Sequence, residues 1–376
     1  MKDIIVEILD KIESQGFEAY VVGGYVRDFL LGIESTDIDI CTNAKVMDLM
    51  DILAKWSPSS DNYGAVKFIY KGYKIDITTY RKELKYNGDR KTLEVEYVDN
   101  LVEDVMRRDF TCNTLCMSKN GQIIDLLGGK QDIEDRLIRC VGDIDKKLQE
   151  DPLRILRAIR FASVLEFKIE TELFLALKKY RKLVGELSLT RIKEELTKML
   201  VNKNAIVGLN YLRRLGLLEY VGINYDTIVN VPDVCGMYSQ LEITKDFNFS
   251  KEEKNNIKSI KEVTTYGKID KDMLFKYGLY ICLVAGEILG ISREEVTELH
   301  KQMAIKDIKD INISSKEICN MLEIKPSKQV GYIYNKLKDL ILDDKLENDT
   351  DKIKEVLKDQ GKKWLDEGEH QKGFTF

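Results

Sequence analysis

The chain has 376 residues, of which 44% are hydrophobic and 33% are charged, and its formal net charge is −5 at pH 7. This composition fits a folded globular protein of two to four domains, and no apolar run reaches the ~20 residues that span a bilayer. The chain has two histidines, and its seven cysteines form no C-x-x-C pair, so we expect neither a zinc site, nor His-dependent acyl transfer, nor an HD-type phosphohydrolase.

The N-terminal third shows the patterns of a mixed α+β unit. Residues 3–14 have helical periodicity with acids inside the apolar pattern, so they are not expected to be an export signal, and we expect a cytoplasmic protein. Alternating apolar residues and turn residues predict strands at 18–22, 36–41, 65–70, 73–80 and 92–99, and short helices at 25–32 and 43–56, the latter capped by Thr42 or Asn43. About 140 residues are therefore expected to form a small sheet with helices.

The remainder of the chain reads as a series of helices. From Asp143 onward apolar residues recur mostly at spacings of three and four, whereas residues 222–250 have weak periodicity and are expected to form a long loop or irregular helices. Residues 178–214 hold ten Lys and Arg against three Glu. The predicted fold class is α+β, with a mixed-sheet head followed by an elongated all-α part.

Two aspartates alternate with isoleucines in the second predicted strand. Side chains at i and i+2 of a strand share a face, so Asp37 and Asp39 project together while Ile38 and Ile40 face the core. Carboxylates that close repel one another, so one takes up a proton or both bind a cation, for which oxygen ligands favour Mg²⁺. Asp76 alternates in the same way in another predicted strand and is a candidate third carboxylate. Taken alone, this pattern is more often an exposed strand face.

A glycine pair precedes these aspartates. Gly23 and Gly24 end the first predicted strand, and their backbone N–H groups lie where a helix begins, a position that suits phosphate oxygens. Arg27 lies in the first turn of that helix and can pair with a phosphate. Acidic metal ligands beside a phosphate-binding turn are typical of phosphoryl or nucleotidyl transfer.

The stretch "GGYVRDFLLGIESTDIDICTNA" resembles the signature of the nucleotidyltransferase superfamily, in the form found in class II tRNA nucleotidyltransferases (CCA-adding enzymes) and bacterial poly(A) polymerases. Four further stretches are similar to that family in the same order, at 107–115 ("RRDFTCNTL"), 125–142, 150–163 ("EDPLRILRAIRFAS") and 189–200. Together with the first they span residues 20 to 200.

The resemblance implies a role for particular residues. Asp37 and Asp39 are expected to be catalytic Mg²⁺ ligands, with Asp76 at the family's third acidic position. The nucleotide-binding residues that it implies are Gly23, Gly24, Arg27, Arg108, Asp109, Asp151, Arg154, Arg157 and Arg160. Within this set, Asp109 is expected near the ribose, because the 2′-OH can donate a hydrogen bond to a carboxylate. "RIKEEL" matches the motif of a supporting helix, with Thr190 where the family often has Glu.

Hydrogen-bond chemistry shows how two of these residues could select a base. Asp151 and Arg154 are three residues apart and are expected on one face of a helix. Asp only accepts and Arg only donates hydrogen bonds, which matches the amino group beside a ring acceptor in cytosine and adenine. Uracil and guanine present the reverse pattern. Arg157 and Arg160 continue the row as a cationic stripe, which without the other motifs is as often a solvated helix face.

The implied function is addition of C, C and A to the 3′ end of tRNA from CTP and ATP, with release of pyrophosphate. An A-adding enzyme or a poly(A) polymerase is the alternative, and a catalytically silent RNA-binding protein is the rival from another class. Residues 80–99, with "DRK" at 89–91, occupy the place of a loop associated with adenine addition and favour the full reaction.

The resemblance also implies an organisation of the chain. The expected domains are a head at 1–140, a nucleotide-selecting neck at 141–205, an RNA-binding body at 206–320 and a tail at 321–376. The basic stretch 178–214 and lysines around 301–338 are expected to contact RNA phosphates, which makes binding depend strongly on salt.

Overall fold

The structure is a computed structural model that describes residues 3–60, 64–85 and 94–370. The chain forms two compact units, Met1–Pro232 with Leu241–Asn248, and Asp233–Gln240 with Phe249–Phe376. Among the helices of the described residues, none combines the length and hydropathy needed to cross a membrane.

The strands lie mainly in the first half of the chain. They are β1 (Ala19–Val22), β2 (Asp37–Thr42), β3 (Ser59–Ser60), β4 (Ala65–Tyr70), β5 (Tyr73–Thr79), β6 (Arg81–Lys85), β7 (Glu94–Tyr97), β8 (Cys116–Met117), β9 (Ile123–Ile124), β10 (Leu137–Ile138), β11 (Lys168–Ile169), β12 (Ile223–Asn224) and β13 (Glu242–Ile243). In the described residues, seven of them form one sheet in the order β3-β4-β5-β2-β1-β8-β9. Strands β2 and β5 are parallel, and the other neighbours are antiparallel.

Helices cover this sheet and then continue the first unit. They are α1 (Asp3–Glu13), α2 (Gly24–Leu30), α3 (Val46–Ile52), α4 (Leu101–Met106), α5 (Gly129–Glu134), α6 (Ile144–Glu150), α7 (Leu153–Leu165), α8 (Thr171–Tyr180), α9 (Leu189–Leu200), α10 (Ala205–Leu215) and α11 (Leu218–Val221). Helix α7 packs against α9 and α10. Ile155 and Ile159 on its inner face are fully buried, so its arginines are left for the opposite side.

The second unit is helical. Its helices are α12 (Val234–Ser239), α13 (Lys251–Tyr266), α14 (Lys271–Leu289), α15 (Arg293–Gln302), α16 (Ser315–Leu322), α17 (Lys328–Leu342) and α18 (Thr350–His370). Reciprocal Ser–Glu capping boxes begin α13, α15 and α16, which satisfies backbone N–H groups that a helix start leaves unpaired. Helix α14 breaks at Gly278, whose φ of 79° suits glycine.

The predicted fold class is confirmed, because a mixed sheet with helices precedes a helical region. The predicted caps of the third helix were wrong. Helix α3 begins only after Lys45, because Thr42 remains in β2, where its hydroxyl accepts the Ala44 N–H, and Asn43 accepts the N–H of Glu18. Two short ladders, β10 with β11 and β12 with β13, add strand structure to the helical part. Residues 222–250 contain β12, α12 and β13.

Candidate active site

The first unit contains a cleft of about 340 Å³ beside the end of β1. Nine of the residues that the sequence singled out line it: Gly23, Gly24, Arg27, Asp39, Arg108, Asp109, Asp151, Arg154 and Arg157. Four further residues complete the lining, namely Arg81, Arg107, Asn113 and Phe161. Within the described residues, the lining does not include Asp37, Asp76 or Arg160.

The three acidic residues lie on two neighbouring parallel strands, β2 and β5. Asp37 and Asp39 lie on the exposed face of β2, while Ile38 and Ile40 between and after them are buried, as the alternation predicted. Asp76 on β5 stands in register beside Asp39. Its Oδ2 forms an ion pair with Lys67 Nζ at 3.3 Å, on a lysine that is about half exposed.

Two features of this group fit a bound cation. The pKa of Asp39 is raised, first because nearby protein atoms displace water from its carboxylate even though the residue is on the exposed face of β2, and then because Asp76 and Asp37 add negative charge, although Arg108 opposes the shift. The Oδ1 of Asp76 is buried without a hydrogen-bond partner in the described part of the chain. A cation would relieve both. In the part of the chain that the structure describes, however, no three His, Cys, Asp or Glu side chains lie close enough together to form a ready metal site.

The glycine turn faces these carboxylates. Gly23 has a φ of 76°, and a Cβ on it would lie 3.4 Å from Arg108 Nη1 and 3.8 Å from Asp39 Oδ2, so any side chain would enter the cleft. Arg27 follows in α2, where its Nη1 donates to Asn113 Oδ1 at 2.6 Å and its Nε and Nη2 donate to Asp28 Oδ1. The turn is therefore open while its arginine is held in place.

Asp109 is a nearly saturated hydrogen-bond acceptor. Its Oδ1 accepts the N–H of Phe110 and the amide of Asn113, and its Oδ2 accepts two nitrogens of Arg157 at 2.7 and 2.6 Å. Burial by itself would raise the pKa of Asp109, but Arg157 and these hydrogen bonds hold it below its usual range. These two bonds to a single carboxylate oxygen join the segment that follows α4 to α7 within the first unit.

Asp151 and Arg154 both line the cleft, but the expected helical face was wrong in detail. Asp151 lies in extended backbone between α6 and α7, and α7 begins only at Leu153, after Pro152. Its Oδ1 accepts the Leu153 N–H at 3.2 Å and Arg191 Nη2 at 3.0 Å. The aspartate therefore precedes the helix that carries the arginine and accepts the N–H of that helix's first residue, instead of lying one turn before the arginine on that helix.

The partners of Arg154 orient its guanidinium. Its Nη1 donates to the carbonyl of Lys147 at 2.8 Å, and its Nη2 donates to the carbonyl of Arg107 at 3.3 Å. Asp151 and Arg154 are 4% and 5% exposed, so both charged groups are removed from bulk water. Groups this buried discriminate strongly between matching and mismatching partners.

Arg160 serves a different contact. Its Nε donates to Glu195 Oε2 at 2.6 Å, and its guanidinium lies 4.0 Å from the centre of the Phe161 ring. Arg27 and Arg157 lie 5.5 and 5.4 Å from the same ring, which lines the cleft. Three guanidinium groups therefore surround one aromatic ring, and two of them, those of Arg27 and Arg157, also line the cleft.

Comparisons with known proteins cover nearly the whole chain. A family model described as "Poly A polymerase head domain" matches residues 19–139, and one described as "Probable RNA and SrmB- binding site of polymerase A" matches 166–223. A model of the second tRNA nucleotidyltransferase domain matches 238–357. The CCA-adding enzyme of Ligilactobacillus salivarius is 33% identical over 96% of each chain, and that of Bacillus cytotoxicus is 30% identical over 92% of this chain and 96% of its own.

The chain belongs to the CCA-adding enzyme family. These enzymes are tRNA nucleotidyltransferases, so the resemblance drawn from five ordered motifs is confirmed. Solved CCA-adding enzymes share the fold. The enzyme of Bacillus stearothermophilus with CTP has a TM-score of 0.81 at 23% identity over 99% of each chain. The Thermotoga maritima enzyme with tRNA has a TM-score of 0.66 at 20% identity over 94% of each chain.

Several residues in or behind the cleft of this CCA-adding enzyme were not predicted from the sequence. Arg107, the first arginine of "RRDF", and Phe161 in "RFAS" lie inside recognised motifs, so their motifs were a usable signal. Asn113 lies in the "RRDFTCNTL" stretch and joins Arg27 to Asp109. The buried partners Asp104 and Glu195 are visible only through their contacts with arginines. "DRK" at 89–91 lies outside the described residues.

Proposed function

We propose that the protein is a template-independent nucleotidyltransferase that adds C, C and A to the 3′ end of tRNA from CTP and ATP and releases pyrophosphate. The observation that supports this most directly is the composition of the cleft. One side carries Asp39 and the glycine turn, and the wall also contains Asp151 and Arg154. An acidic residue that can hold a cation beside the reacting phosphate therefore lines the same cleft as a hydrogen-bond acceptor and a donor that can bind the edge of a base.

The base is selected by hydrogen-bond pattern. Asp151 presents an acceptor to the amino group of cytosine or adenine, and Arg154 donates to the adjacent ring nitrogen. Uracil and guanine place a carbonyl oxygen against Asp151 and an N–H against Arg154. Each such buried mismatch costs ~1–3 kcal/mol. The ion pair with Arg191 supports this role, because it holds one carboxylate oxygen and leaves the other to face a base.

The triphosphate is bound by the cationic residues around the glycine turn. Arg27 and Arg108 are proposed as direct contacts, with Gly23 and Gly24 giving the phosphates close access to the backbone. Asp109 is proposed to lie near the ribose. Because its oxygens are engaged by Arg157, Asn113 and a backbone N–H, its contribution requires the 2′-OH to join or replace one of those bonds.

We propose that Asp37 and Asp39 hold Mg²⁺, with Asp76 as a third carboxylate if its ion pair with Lys67 opens. When held by these carboxylates, Mg²⁺ would lower the pKa of the attacking 3′-OH and would neutralise part of the triphosphate charge. Among the described residues that line the cleft, none is a serine, threonine, cysteine or lysine that could form a covalent intermediate. Its residues instead orient the α-phosphate and the base relative to the 3′-OH of the tRNA, which is catalysis by positioning.

The domain assignment is proposed in the same terms. Residues 1–140 form the nucleotidyltransferase head, 141–205 the nucleotide-selecting neck, 206–320 an RNA-binding body and 321–376 a tail. The match of residues 166–223 to an RNA-binding model supports placing tRNA contacts on the basic stretch 178–214. A tRNA substrate also supports a cytoplasmic location.

The test is incubation of the full chain with Mg²⁺, labelled CTP or ATP, and a tRNA that lacks its 3′ CCA, followed by sequencing of the 3′ ends. The proposal expects products ending in CCA, and no incorporation when the divalent cation is chelated. Addition of a single A only to tRNA ending in CC would identify an A-adding enzyme, and long A tails a poly(A) polymerase. No incorporation with either nucleotide would favour the silent RNA-binding protein.

A further inference from the structure

A single buried carboxylate joins three segments of the cleft wall. Asp104 in α4 is fully buried. Its Oδ1 accepts Arg107 Nε at 2.8 Å and the backbone N–H of Arg81 at 3.4 Å, and its Oδ2 accepts Arg108 Nη2 at 3.1 Å. Arg81, Arg107 and Arg108 all line the cleft, whereas Asp104 does not. The carboxylate therefore acts behind the surface that a ligand would touch.

The negative charge of Asp104 and the positive charges of Arg107 and Arg108 stabilise one another in the protein interior. Arg107 and Arg108 are adjacent in sequence and both are mostly buried, so their like charges repel unless an anion lies between them. A buried carboxylate is tolerated only when it is paired and hydrogen-bonded. Asp104 meets both needs, because each of its oxygens takes a guanidinium nitrogen.

Arg108 connects this group to the reacting end of the cleft. A Cβ on Gly23 would lie 3.4 Å from Arg108 Nη1 and 3.8 Å from Asp39 Oδ2, so Arg108 and Asp39 both reach the glycine turn. The Nε of Arg108 is buried and has no hydrogen-bond partner among the described residues. Arg108 thus reaches the glycine turn with its Nη1, while its Nη2 is held by Asp104 behind the wall.

The contact with Arg81 extends the connection to the β6–β7 hairpin. Arg81 is the first residue of β6, and its partner in β7 is Tyr97. Val98 next to Tyr97 donates its N–H to the carbonyl of Tyr80. The start of the hairpin is therefore attached both to the main chain around it and to the carboxylate that holds the two cleft arginines.

We propose that Asp104 is a positioning residue for nucleoside triphosphates, which aligns Arg107 and Arg108 with the phosphates and holds the first residue of β6 against the same wall. The inference rests on the proposed function only in that the anion is the triphosphate of CTP or ATP. Without Asp104, the Arg108 guanidinium loses its partner behind the wall, and Asp39 becomes the competing carboxylate in front of it.

The test compares Asp104→Asn, Asp104→Glu and the control Glu103→Gln in the full chain. Asn keeps the size of the side chain but removes its charge, Glu restores the carboxylate, and Glu103 is the exposed neighbour on the same helix. Dissociation constants for CTP and CMP are measured without divalent cation by competition with a fluorescent ATP analogue. Thermal unfolding and incorporation of CTP into tRNA are measured on the same preparations.

We expect Asp104→Asn to weaken CTP binding by about tenfold or more, since it disrupts hydrogen bonds between charged groups, and CMP binding by less than about threefold. Asp104→Glu should fall between this variant and the wild type, and Glu103→Gln should match the wild type. A merely structural role would lower the unfolding temperature and the active fraction without changing the ratio of CTP to CMP affinity.

The proposal is overturned if Asp104→Asn binds CTP as tightly as the wild type, or if CTP and CMP lose affinity equally. If Asp104→Asn does not fold, Asp104→Glu carries the same comparison, because its carboxylate is displaced by one methylene. A wild-type chain that binds CTP but incorporates nothing into tRNA would instead contradict the proposed function, and it would leave the binding comparison intact.

Discussion

Replacement of Asp151 by Asn is the sharpest test of base selection. The carboxylate Oδ1 is held by Arg191 Nη2 at 3.0 Å and by the Leu153 N–H at 3.2 Å. An Asn is expected to keep its oxygen at that position, because both partners are donors. Its amide nitrogen then takes the place of the other oxygen and presents a donor to the base, where the aspartate presents an acceptor.

The size of the effect follows from this exchange. For CTP the change sets a donor against the amino group, and for UTP it removes one of two mismatches. At ~1–3 kcal/mol for each buried group, the two changes shift the preference by ~2–6 kcal/mol. The ratio of kcat/KM for CTP to that for UTP should therefore fall by about 30-fold or more. Most of the fall comes from a lower kcat/KM for CTP. UTP remains a poor substrate, because Arg154 still sets a donor against the ring N–H of uracil.

The assay is single-nucleotide incorporation into tRNA lacking its CCA end, with CTP and UTP compared at fixed enzyme. Because Asp151 and Arg191 have side chains only 6% and 11% exposed, breaking their ion pair also lowers stability, by up to ~3–5 kcal/mol. Rates are therefore referred to the folded fraction. Arg191→Gln is the matched control, since it disturbs the same pair but keeps the acceptor, and it should lower both rates at a constant ratio. A CTP to UTP ratio that changes less than about threefold in Asp151→Asn would refute the reasoning.

Three other outcomes are expected. Asp39→Asn should reduce incorporation by about a thousandfold or more, because a metal ligand is lost, yet leave metal-free CTP binding, measured by fluorescence competition, no weaker than in the wild type. Gly129→Ala should destabilise the chain, because its Cβ would clash with the backbone of Thr111, whereas Gly331→Ala, with open space inside α17, should stabilise it by ~0.5–1 kcal/mol in urea unfolding. Replacing exposed Lys178 and Lys182 by Ala should reduce the slope of log Kd for tRNA against log salt by about 2, and an unchanged slope would argue against RNA contacts there.

Much of the site could be predicted because its chemistry is local in the sequence. The alternation of Asp37 and Asp39 with buried isoleucines needs only the two-residue period of a strand. The glycine turn and the "RRDF" and "EDPLR" stretches likewise place their residue types within a few positions of one another. Nine of the twelve expected site residues line one cleft for this reason.

The incorrect predictions concern the residues at which two helices begin. Asp151 was expected within a helix, but Pro152 favours extended backbone in the residue before it, so the aspartate lies in extended backbone ahead of α7. Thr42 and Asn43 were expected to cap α3, but their side chains are taken by Ala44 and Glu18. The first outcome follows from the steric effect of a proline on the residue before it, and the second from hydrogen bonds that occupy the two expected capping side chains.

The sequence by itself determined the family, the order of sheet and helices, and the residue types at the site, because these follow from periodicity and from short motifs. Only the tertiary structure decided the partners of the buried charges. Arg27 bonds to Asn113 across 86 positions, and Arg157 bonds to Asp109 across 48. A charge can be buried only where folding brings it a complementary group, and no spacing along the chain reveals which group that is.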